Sequence, residues 1–184
     1  MSNRLSTGSS ITRHAGAKCN LEFTHKKIEA LEKAAKPHLV YRNGKSYYEF
    51  EGYELDRITH VLKEAQDEKS LDDWRKRIGL EKADLISKNA MARGSAVHEI
   101  AEAYLNNNCT CQYDNKVLPF GMFERMKPAL DRISKIAGIE IPLVSELYGI
   151  AGTADIIAEF DNELCIIDLK TSIKKKEEKY QKKY

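Results

Sequence analysis

Paired C-x-x-C spacing is missing from this chain, whose four cysteines are Cys19, Cys109, Cys111 and Cys165. That leaves out the common cysteine zinc patterns, and Cys109-x-Cys111 reads as two small residues in a loop rather than half of a metal site. With one cysteine inside a strand-like run, the expectation is a cytoplasmic, reduced setting with structural thiols, ahead of a mitochondrial one. No apolar run approaches the ~20 residues of a membrane span, so no membrane partner is expected. A large excess of one charge is also absent. With a formal net charge of +2, bulk charge does not announce a nucleic-acid binder, and local distribution must carry any such argument. The first 21 residues hold no acidic side chain and are rich in Ser, Thr and Gly. An organelle transit peptide has that composition, but without an amphipathic stripe a disordered basic tail over 1–21 is the preferred reading.

What remains is a highly charged sequence, 32% Asp, Glu, Lys and Arg in 184 residues, long enough for one domain with a real core and too short to expect two. The expected organisation is a single domain over 22–184, with a hairpin and helices over 22–79, a core over 80–172 and a lysine-rich end over 173–184. His38 to Arg42 and Lys45 to Phe50 flank Asn43-Gly44, a strong hairpin signal. The tyrosines around it, Tyr41, Tyr47, Tyr48 and Tyr53, are read as core cover before base-stacking groups. A short helix is expected over the second half of 21–36, another over 56–65, and a third from a capping box at Ser70-Leu-Asp-Asp73 to Gly79.

The densest chemistry lies between Gly152 and Lys170. Thr153 to Phe160 and Leu164 to Lys170 are rich in β-branched and apolar residues, and Asp161-Asn162 between them tolerates the positive φ of a two-residue turn. In that register Phe160 faces Glu163, Ala158 faces Cys165, and Asp155 faces Asp168. Like charges directly opposite one another repel unless a cation lies between them. Lys170, two residues on, shares their face. A divalent metal ion fits this patch, and an ordinary Asp155–Lys170 salt bridge on a solvated face is the alternative.

Leu80 to Leu105 is helical in character, with a break or bend expected near Gly94. Val97, Ile100, Ala101 and Tyr104 form the stripe that buries against a sheet. His98 and Glu102 stand four apart at its edge, so a helix packed on the hairpin aims His98 at the aspartates. His-Glu-Ile-Ala-Glu lacks the second histidine of the H-E-x-x-H zinc motif, and that reading fails on ligand count. A further helix is expected over 123–137, bent or restarted at Pro128 and capped at Gly138. A strand over 143–150 follows, with Glu146 its one charge. The result is an α-β-β-β order with an antiparallel meander.

Gly94-Ser-Ala-Val-His98, Glu146, Gly152-Thr-Ala-Asp155 and Asp168-Leu-Lys170 together resemble the PD-(D/E)XK nuclease superfamily, RecB-like branch. Leu55-Asp-Arg-Ile-Thr-His-Val-Leu62, Trp74-Arg-Lys-Arg-Ile-Gly79 and Arg93-Gly94 are similar to the mitochondrial genome maintenance exonuclease family and its phage relatives. The resemblance implies an α/β fold, a mixed β-sheet flanked by helices with a restriction-endonuclease-like core. It also implies a metal-dependent exonuclease that hydrolyses DNA, single-stranded or at ends, in DNA repair or replication.

On that resemblance His98, Asp155 and Asp168 match the metal ligands, with the Leu169 carbonyl a further one. Asp155, Asp168 and Lys170 are the catalytic set, and Glu146 and Glu102 are acids beside the site. Arg93, Thr171 and Ser172 are expected DNA phosphate contacts. The cofactor is Mg2+ or Mn2+; with no cysteine after Cys165, an iron–sulfur cluster is not expected. RecB-like nucleases also carry a helix with Gln-x-x-x-Tyr and a further strand after the D-x-K strand. Here the sequence from Lys170 to Tyr184 has seven lysines and two glutamates and no match to that pattern. The expectation is therefore a second polypeptide completing the core, and the alternative function is a non-catalytic or partner-dependent DNA-binding subunit of a split nuclease.

Overall fold

A computed structural model describes residues 22–29, 31, 35–65 and 68–173. The expected tail over 1–21, most of the lysine-rich end and part of the first expected helix lie outside the described residues.

Three tight turns set the sheet. Asn43-Gly44 joins β2 (His38–Arg42) to β3 (Lys45–Phe50), Glu51-Gly52 joins β3 to β4 (Tyr53–Arg57), and Asp161-Asn162 joins β6 (Ile150–Phe160) to β7 (Glu163–Ile167). All six turn residues have positive φ, the conformation that matches the right-handed twist of antiparallel strands. β1 (Thr24–His25) runs parallel to β5 (Ile133–Ser145), β5 pairs antiparallel with β6, and β4 runs parallel to the start of β6. The result, among the described residues, is a seven-stranded mixed sheet in the order β1-β5-β6-β4-β3-β2, with β7 also on β6. Completing the α/β fold among the described residues are α1 (Ile58–Glu64), α2 (Glu68–Ile78), α3 (Leu80–Leu105) and α4 (Val117–Leu130).

β6 is the spine of the sheet. Its edge toward β5 is paired along nearly its whole length, while its other edge meets β4 at Ile150 and Ala151 and β7 from Ile156 to Phe160. Residues 152–155 lie between those two partners. At Gly152 the strand passes close to the first residue of α1: a Cβ there would lie 2.5 Å from Ile58 Cγ2. Under the paired half of β6, Ile156 and Ala158 bury against Ile100, Tyr104, Phe123 and Ile136. The Tyr104 ring packs edge-on to both Phe23 and Phe123, and its hydroxyl donates to Asp131 at 2.5 Å. Burial, together with the Asp131 carboxylate, pushes the Tyr104 phenol above its ordinary pKa.

Several expected boundaries change. β4 occupies Tyr53–Arg57, ahead of a shorter helix than 56–65, and α2 begins at Glu68, so Ser70 lies inside it rather than capping it. α3 is one continuous helix through Gly94. The largest change is over 133–150, where the expected helix ends at Leu130 and the expected strand grows to thirteen residues as β5. Gly138 is therefore a strand residue and not a helix cap, and Pro128 sits in the last turn of α4. The pairing of β5 with β6 shifts register twice, between Ile133 and Lys135 and between Ile136 and Gly138. Each shift inserts an extra residue, so Ile133, Ile136 and Ile139 all reach the core at a spacing of three. That spacing imitates a helix. Cys109 and Cys111 form a disulfide rather than the expected pair of reduced thiols, and Cys165 is free.

Candidate metal centre

The centre forms where β7 leaves β6. The expected register holds from Phe160–Glu163 to Ile156–Ile167 and then stops. Asp155 does not pair with Asp168 across the strands. Its carboxylate instead accepts the Leu169 backbone N–H at 2.7 Å. Leu169 turns into the core, 8% exposed, and pulls its peptide groups to the head of the site.

From the other side α3 brings His98. The side-chain stripe read from the sequence is the buried one, with Val97, Ile100, Ala101 and Tyr104 all closed to solvent, and His98 lies at its edge. The His98 Nε2–H donates to the Leu169 carbonyl at 2.9 Å, and Nδ1 faces the Asp155 carboxylate at 3.7 Å. With Nε2 engaged by the carbonyl, Nδ1 is the ring nitrogen that faces the carboxylate, the position from which an imidazole lone pair would reach a metal. Leu169 therefore orients two candidate metal donors with one residue's backbone: its N–H holds Asp155 and its C=O holds His98.

The third donor is Glu140, which sequence reasoning missed. On β5 the pairs Ile139–Ile156 and Ile141–Ala154 bracket it, so it stands opposite Asp155. Its φ of 52° is a left-handed conformation inside a strand, a strain that glutamate adopts only where its surroundings hold it. One ligand atom each from His98, Glu140 and Asp155 lie within 4.8 Å of one another. Burial, then the Asp155 charge, push the Glu140 carboxyl above the usual carboxylate range, with His98 opposing and Glu102 adding to the shift. Two carboxylates and an imidazole nitrogen at this spacing suit a divalent cation, whose bonds to hard donors are about 2.0–2.6 Å long. The signal in the sequence was a single acid between Ile139 and Ile141, legible only once that segment is a strand.

The other expected site residues are distributed around this centre. Asp168 is exposed and accepts an ion pair from Lys170 at 2.6 Å; it lies outside the three-donor group but lines a cleft of about 400 Å3 with Asp155, Thr153 and Ile58. Glu102 is exposed one turn beyond His98. Glu146 falls in the turn between β5 and β6 and lines a separate cavity, with Phe50 and Leu143. Arg93 has a buried Nε without a hydrogen-bond partner among the described residues. Thr171 passes Gly94 of α3: a Cβ on that glycine would lie 3.5 Å from its hydroxyl. Ser172 is exposed beside it. No helix among the described residues is long and apolar enough to cross a membrane.

No family model matches the chain. Among curated proteins it is similar to human mitochondrial genome maintenance exonuclease 1, 28% identical over 130 residues that make up 66% of this chain and 38% of the relative. The mouse protein of the same name is 24% identical over 152 residues, 79% of this chain and 45% of the relative. The chain thus spans less than half the length of the curated relatives it matches. They lend no support to a second polypeptide. The similarity supports a relationship to nucleases.

Proposed function

We propose that this chain is a divalent-metal-dependent deoxyribonuclease of PD-(D/E)XK type, acting as an exonuclease on single-stranded DNA or DNA ends. The observation that carries the reading is the three-donor group of His98, Glu140 and Asp155, two of them clamped by the Leu169 backbone. The exonuclease names of the two relatives agree with it.

The residues divide the work of phosphodiester hydrolysis. His98, Glu140 and Asp155 would hold Mg2+ or Mn2+; when bound, such an ion supplies charge neutralisation at the phosphate and an activated water. Asp168, which lines a cleft together with Asp155, would add a further carboxylate beside the site. Lys170 is 72% exposed in its side chain, and its pair with Asp168 is a solvated one. Exposed pairs of this kind hold by about 1 kcal/mol or less, so the ammonium is free to turn to the scissile phosphate and stabilise its developing negative charge. Arg93, Thr171 and Ser172 are assigned to the DNA backbone.

The test is titration of Mg2+ and Mn2+ into the protein with end-labelled single-stranded and duplex DNA resolved on gels. Stepwise shortening that needs the metal is the expected result. DNA binding without cleavage at any metal concentration would instead identify a non-catalytic binding subunit.

A further inference from the structure

A second cleft opens immediately beyond the catalytic lysine. α4 presents Met122, Arg125 and Met126 on one face at helical spacing, and across from them run Lys170, Thr171 and Ser172. Together these six residues enclose about 210 Å3. Ordinary ligand pockets begin near 300 Å3, so this one suits a compact group rather than a whole nucleotide. Its polar wall is two cations and two hydroxyls, with no carboxylate among the lining residues. Arg125 is exposed and makes no hydrogen bond or ion pair with the other described residues.

We infer that this cleft is an anion site for the terminal phosphate monoester of a DNA strand, with Arg125 as the residue that reads it. The inference rests on the proposed nuclease reading, because it gives the cleft its meaning. An internal phosphodiester carries one negative charge and is tethered on both sides. A terminal monoester carries nearly two at neutral pH and offers three free oxygens. A planar guanidinium binds two of those oxygens at once, and the Thr171 hydroxyl donates to the third. The two methionines provide a pliable apolar floor for the adjoining sugar. Lys170 lines this cleft and also pairs with Asp168, so an anchored end lies next to the residues assigned to cleavage.

The experiment compares one single-stranded oligonucleotide in four forms: phosphate or hydroxyl at the 5′ end, and phosphate or hydroxyl at the 3′ end. Affinity of the full chain is read by fluorescence anisotropy in EDTA, and first-turnover kcat/KM in Mn2+. One phosphorylated end is expected to be favoured by about tenfold in both readouts, which identifies the polarity; Arg125→Ala reduces the ratio to about one, and Arg125→Lys restores part of it. Circular dichroism confirms that each variant is folded. Equal binding of all four forms by the wild-type protein overturns the inference, as does an Arg125→Ala protein that keeps the wild-type ratio. If ends are discriminated in EDTA but no metal supports cleavage, the nuclease reading fails and the anion site stands. If DNA is cut without regard to its ends, the anion site fails and the nuclease reading stands.

Discussion

The two halves of β6 differ in what lies on their outer edge. From Ile156 to Phe160 the strand is hydrogen-bonded on both sides, and Ile156 and Ala158 are closed into the core. From Gly152 to Asp155 it is bonded on the β5 side, while β4 has ended and β7 has turned away. The first half gains stability from apolar burial, which is non-directional and tolerates little chemistry. The second half exchanges strand pairing for side-chain and backbone contacts to His98, Glu140 and Leu169. A polar site thus sits within one residue of a hydrophobic core without exposing that core, because a single departing strand separates the two.

Substitutions on either side of that boundary should separate function from stability. The largest effect is expected from Asp155→Ala, which removes a ligand and the acceptor of the Leu169 N–H: metal-dependent cleavage should fall about 1,000-fold or more, ~4 kcal/mol of barrier, in a single-turnover oligonucleotide assay. Asp155→Asn keeps an acceptor for that N–H and should lose comparable activity with less stability. On the core side, Ile136→Ala should cost about 2–4 kcal/mol in a denaturant titration. Metal affinity of the folded fraction, by isothermal titration calorimetry, should stay at the wild-type value; a parallel loss would mean that the halves are not separate.

Smaller effects sharpen the same contrast. Glu140→Gln should weaken metal binding about 10–100-fold, whereas Glu159→Gln, on the other half of β6 and paired with Lys135, should leave it unchanged. Tyr104→Phe should cost about 1 kcal/mol through the lost hydrogen bond to Asp131. Its pH dependence has a definite sign. The folded-state pKa of Tyr104 lies above its ordinary 10.0, so the stability it adds is complete below pH 10 and declines as pH rises through the folded value. A thermal melt series from pH 8 to 11 should show the wild-type advantage over Tyr104→Phe shrinking at the alkaline end.

Much of this was readable from residue types alone. Turn residues with positive φ gave both hairpins, and the Asp161-Asn162 turn set the β6–β7 register correctly through Ile156–Ile167. The helical stripe around Val97 placed His98 beside Asp155. Two things stayed hidden for physical reasons. The bulges in β5 gave its core isoleucines a spacing of three, so a strand looked like the end of a helix and Glu140 was not placed opposite Asp155. Leu169 acts through its backbone N–H and C=O, which every residue but proline possesses, so no side chain marks the clamp.

That clamp also governs when the centre exists. Leu169 follows the β6–β7 hairpin, and its carbonyl meets a histidine 71 positions earlier in the chain. Helix α3 can form from local contacts alone, but His98 and Asp155 take their orientation only after the last described strand has docked and its successor has turned inward. Closing so long a loop is among the slower steps available to a chain of this size. The three donors therefore come together only in the docked fold, and a nascent or partly unfolded molecule holds the residues without the arrangement.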